Sequence, residues 1–143
     1  MDISTNIVIG DIEEIEEIGE SSSPIENWRG FEIRGIDTTK MAMLQAILTG
    51  QTFDEAFSEY LLTYEASEAG PWVAKIPDEP MERLAEMDDD VLEQIGEELA
   101  TTEEFENDGR PVEEVQIFLA ELAALAGVAI VQRKVMFIWT LGR

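Results

Sequence analysis

The chain has 143 residues, 45% hydrophobic and 29% charged, which is enough for one folded domain with a sizeable core and too apolar for wholesale disorder. It has no cysteine and no histidine, which excludes disulfides, thiolate or imidazole zinc sites, a thiol nucleophile and the commonest general acid-base residue. Thirty-two acids against nine bases leave a net charge of −23, so phosphate backbones are repelled and basic partners attracted.

In chain order, residues 6–9 are a short β-branched run, followed by isoleucine at every third position, Ile12, Ile15 and Ile18. That spacing suits a helical face, and Ser21, Ser22, Ser23 and Pro24 end it. Residues 1–27 hold eight acids and no base, which reads as an acidic N-terminal arm, either a flexible solubilising tail, a short helix or a segment that orders on binding. Residues 28–143 read as one α+β domain.

Residues 31–36 alternate as a half-buried strand. Asp37 is placed to cap a helix carrying Met41, Leu44, Ile47 and Leu48, with Gly50 as its stop. Thr52 and Glu55 form a capping box, and Phe53, Ala56, Phe57, Tyr60, Leu61 and Tyr64 keep helical spacing, which predicts one helix through Tyr64. Gly70 and Pro71 break that pattern, residues 72–76 read as a strand, and Pro77 leads into a short helix with Met81 and Leu84. Asp88 caps a helix with Val91, Leu92, Ile95 and Leu99 inward, residues 101–109 read as a polar connection, and Pro111 opens a last helix that Gly127 should stop. Residues 128–141, rich in β-branched and aromatic side chains, predict either one long strand or a hairpin turning at Gln132, Arg133 and Lys134. Trp28, Trp72 and Trp139 are expected in the core. The architecture predicted is a helix-rich α+β domain with a small antiparallel sheet covered on one face.

The chemistry is mostly defined by what is missing. No serine lies in a nucleophile elbow, no glycine-rich phosphate loop is present, and the Asp88, Asp89, Asp90 cluster lacks the alternating ligands, central glycine and terminal glutamate of a calcium loop. A pair of carboxylates could serve a hydrolase, but three aspartates at a helix start are favoured by capping and the helix dipole alone. The expectation is therefore no enzyme, no catalytic residue, no metal and no cofactor. The longest uncharged apolar stretch, residues 122–131, falls short of the ~20 residues that span a bilayer, and no basic leader opens the chain, so the expected location is cytoplasmic, away from membranes.

Charge is concentrated. Residues 78–108 carry fourteen acids and only Arg83, whereas residues 109–143 carry three acids and four bases. Haloadaptation would spread acids evenly, so the clustering points to a binding face. The candidate partner-binding residues are Glu86, Asp88, Asp89, Asp90, Glu93, Glu97, Glu98, Glu103, Glu104 and Glu106, joined by Glu13, Glu14, Glu16 and Glu17 on the arm. The expected partner is a basic protein, a nuclease toxin or another nucleic-acid-binding protein, with no direct contact to nucleic acid and the oligomeric state left open. The alternative is a subunit or assembly chaperone binding through residues 128–141.

The runs Gly35-Ile36-Asp37-Thr38-Thr39-Lys40 and Ala46-Ile47-Leu48-Thr49-Gly50, with residues 84–89 and 100–105, resemble an uncharacterised family of small acidic bacterial proteins. The resemblance spans roughly residues 31–141 and implies no activity. In charge pattern alone the chain is similar to immunity proteins that neutralise nucleases and to phage-type DNA-mimic inhibitors, an analogy of composition.

Overall fold

The computed structural model describes residues 3–60 and 62–142. Five strands, β1 (Ile3–Gly10), β2 (Gly30–Arg34), β3 (Leu62–Glu65), β4 (Trp72–Lys75) and β5 (Val135–Gly142), form one sheet in the order β2-β1-β5-β4-β3. Every neighbouring pair is antiparallel. Side chains alternate across the pleat, so Ile7, Ile9, Met136, Ile138 and Ala74 enter one core cluster while Val8, Phe137, Trp139 and Val73 enter another.

The larger cluster lies under helices α2 (Thr38–Thr49), α4 (Asp78–Glu86), α5 (Asp89–Ala100) and α7 (Val112–Gln132). α7 is long and apolar enough to cross a membrane. Here Val115, Phe118, Leu119, Leu122, Leu125, Ala126 and Ala129 spend that apolarity on the core, with the Phe118 ring edge-on to Phe31 of β2 at 6.2 Å.

Local signals set several boundaries. Asp37 Oδ1 accepts from the Lys40 amide at 2.9 Å, and Gly50 closes α2 in the left-handed region at φ 78°. Asp88 Oδ1 accepts from the Val91 amide at 3.0 Å at the start of α5, whose Leu92, Gly96 and Leu99 face inward while Val91 stays exposed.

Four expectations are corrected. First, residues 3–27 do not stand apart from the domain: β1 is an interior strand between β2 and β5, and α1 (Ile15–Glu20) carries Ile18 into the second core cluster with Ile15, Ile25 and Trp28 beside it. Charge counting hid this because the isoleucines between the glutamates are what the sheet binds. The helical layer thus covers one face as expected, and residues 11–28 add a thinner layer on the other.

Second, the capping box at Thr52 and Glu55 forms, but α3 (Phe53–Ser58) ends before Tyr60. Tyr60 belongs to the large cluster and Tyr64, on β3, to the other, so they sit on opposite sides of the sheet, which one helical face cannot achieve. Third, residues 101–109 contain a short helix, α6 (Glu103–Asp108), which buries Phe105. Fourth, α7 runs through Gly127 to Gln132, with Arg133 as its left-handed cap at φ 58°, so residues 132–134 are neither hairpin nor strand. A mid-helix glycine costs only about 1 kcal/mol relative to alanine, less than burying Leu125, Ala126 and Ala129 contributes.

Candidate functional site

α4, α5 and α6 follow one another with links of two residues, 87–88 and 101–102, so their acids form a chain-continuous series. Nine of the ten candidate acids there are exposed, and Glu104 is half-buried. Among the described residues none of the ten joins an ion pair. Of the four other acids of residues 78–108, three are paired: Asp78 with Lys75 at 3.0 Å, Glu79 with Arg83 at 3.2 Å, and Asp108 with Arg110 at 3.0 Å and Lys40 at 3.9 Å, while Glu82 joins no ion pair among the described residues. Asp88 has a structural duty as well, since one of its oxygens caps α5.

The α5 geometry explains the exposure. Burying Leu92, Gly96 and Leu99 turns Asp89, Asp90, Glu93, Glu97 and Glu98 outward. Gly96 matters here: a Cβ at that position would lie 2.7 Å from Gln116 Cγ, so only glycine lets α5 come this close to α7. Gln116 Nε2 then donates to the Glu93 carbonyl at 3.2 Å across the same seam.

The arm acids lie elsewhere. Glu13, Glu16 and Glu17 are exposed on the layer covering the sheet face opposite α4, α5 and α7, so one flat partner surface does not reach both sets. Glu14 is engaged internally, accepting from the Asp11 amide at 2.8 Å and from the Trp28 indole at 3.2 Å. Asp11 in turn accepts from Lys134 Nζ at 2.9 Å, which ties this layer to the start of β5 and, together with the charges of Glu14 and Glu13, raises the lysine pKa.

Two clefts lie outside the acidic series. A polar one of about 620 Å³ is lined by Glu32, Arg34, Asp108, Arg110 and Glu114, and within it Arg110 donates to the Arg34 carbonyl while Lys40 donates to the Gly35 carbonyl and sits 5.9 Å over the Phe105 ring. The bonds of Asp108, Arg110 and Lys40 to one another and to the carbonyls of residues 34 and 35 tie β2, α2 and α6 together at this cleft. An apolar one of about 350 Å³ is lined by Phe57, Tyr60, Trp72 and Ile138, with Asp37 and Thr140 at hand. Among the described residues no group of three or more carboxylates is disposed to hold a metal ion.

The apolar segment at residues 128–141 divides in two. Both edges of β5 are paired, with β1 and β4, and Met136, Phe137, Ile138 and Trp139 are buried, while Ile130 and Val131 on the last turns of α7 are exposed.

No protein-family model and no curated protein matches the chain. It is similar to the crystal structure of YfbM from Escherichia coli, a protein of unknown function, with 16% identity and a TM-score of 0.48 over 99% of this chain and 100% of that one.

Proposed function

We propose that this protein is a non-catalytic acidic binder that covers the basic site of a nucleic-acid-handling protein, as an inhibitor, an immunity-type protein or a DNA mimic. One observation carries the reading: ten acids on consecutive helices stand free of any ion pair among the described residues, although self-repulsion at this density disfavours the folded state. A rigid array of carboxylates occupies a groove built for phosphates, and steering by its field speeds association at low salt. The missing histidine and cysteine support a role without turnover.

The test is a pull-down from the native host at low and at high salt, with wild type and with a variant in which Asp89, Asp90, Glu93, Glu97 and Glu98 are amides. The expected result is a basic nucleic-acid-binding protein retained by wild type, released by salt, lost with the variant, and blocked from nucleic acid at a one-to-one ratio. Retention that ignores both salt and the substitutions would sink the reading.

A further inference from the structure

Beside Gly96, α5 and α7 leave a groove of about 450 Å³ between them, with Gln116 on its wall. Its apolar part is Leu92, Ala120 and Ile117, the last 59% exposed although it sits on the central core helix. Asp89, Glu93 and Glu113 line the same groove, and no cation does so among the described residues. An apolar depression rimmed by one sign of charge fits one kind of segment: an apolar side chain that fills it, with lysines or arginines spaced to meet the rim. Neither a plain polycation nor a plain apolar peptide satisfies both parts.

We propose that this groove is the anchor point of the acidic face, and that it takes a cationic peptide segment of the partner bearing one aliphatic or aromatic side chain between its basic residues. The proposal rests on the acidic-binder reading and sharpens it, since free carboxylates alone would accept any polycation. Ile117 is the specificity residue, and Asp89, Glu93 and Glu113 supply the charge around it. Sequence counting missed Ile117 because it lies one helix beyond the acidic run, and its outward direction depends on how α7 packs.

The experiment uses the full chain and two synthetic peptides of equal length and identical lysine positions, one with a central leucine and one with serine there. Titration calorimetry at low salt should give about tenfold tighter binding of the leucine peptide, corresponding to partial burial of one side chain. That preference should vanish in Ile117→Ser and survive in Ile117→Leu, with thermal denaturation confirming that both variants fold. Equal, salt-dependent binding of both peptides would overturn the groove and leave the acidic face standing. A leucine preference that persists in Ile117→Ser also overturns it, by placing the anchor elsewhere. Failure of both peptides to bind at low salt would sink the acidic-face reading along with the groove.

Discussion

Gly19 of α1 lies against the ring of Tyr64 on β3 so closely that a Cβ at position 19 would stand 2.1 Å from Tyr64 Cδ2. The acidic layer is therefore fitted to the sheet by shape. Asn6 on β1 strengthens the fit by accepting from the Ile25 amide at 3.1 Å. Gly19→Val should destabilise the protein by about 1–3 kcal/mol through overpacking. Denaturant unfolding gives the magnitude, and faster proteolytic cleavage within residues 11–28 should accompany it. Unchanged stability and unchanged cleavage would show that α1 is not docked in this way.

Tyr60 is buried, and its hydroxyl has no hydrogen-bond partner among the described residues. Tyr60→Phe removes a group that costs free energy to bury, so stability should hold or rise by up to about 1 kcal/mol. A loss above that range in thermal denaturation would mean the hydroxyl has a partner.

Burial raises the Tyr60 pKa, with the Glu59 charge adding to it, and the Asp11 hydrogen bond raises that of Lys134. The folded state therefore favours the protonated form of both groups, so stability is unaffected by their titration below their ordinary values and falls as pH rises through the folded ones. Glu55 works in the other direction: bonds from Thr52 lower its pKa, so its contribution is complete above the ordinary carboxylate value and is lost as pH falls through the folded one. Stability measured against pH should decline on the alkaline side above about pH 10, and less steeply in Tyr60→Phe. Parallel alkaline limbs for the two proteins would refute the assignment.

Arg133 caps α7 at φ 58°, where an L side chain costs about 1–2 kcal/mol and glycine does not. Arg133→Gly should raise the melting temperature, since relief of strain exceeds the entropy glycine adds to the unfolded chain, about 0.4–1 kcal/mol. A lowered melting temperature would show that the arginine side chain contributes more than its backbone costs.

Clustered acids make a salt prediction as well. Added salt should stabilise wild type by screening repulsion, and the five-amide variant of α5 should show a flatter dependence. Removing Asp89 and Asp90 offsets part of the gain by about 0.3–1 kcal/mol each, because they sit at the helix N-terminus. Asp88→Ala should cost about 1 kcal/mol at any salt, since its role in α5 is the cap to Val91. Equal salt slopes for wild type and the five-amide variant would remove repulsion on α5 as a factor in stability.

Features decided within four residues were legible without the fold. Asp37 and Asp88 as caps, Gly50 as a stop and the Thr52 and Glu55 box all depend on a side chain or a glycine meeting the backbone beside it, so composition and spacing suffice. The acidic series on α4, α5 and α6 was legible for the same reason, since local charge density is a count along the chain.

Tertiary structure alone decided the rest. Residues 62–65 are a strand because β4 offers them an edge, and residues 128–132 stay helical because Leu125, Ala126 and Ala129 are held on the core. The same sheet puts Glu13, Glu16 and Glu17 on the face opposite α5, and α7 packing turns Ile117 outward beside Glu93. These outcomes turn on contacts between residues far apart in sequence, where apolar periodicity states that a side chain will be buried and leaves open which partner buries it.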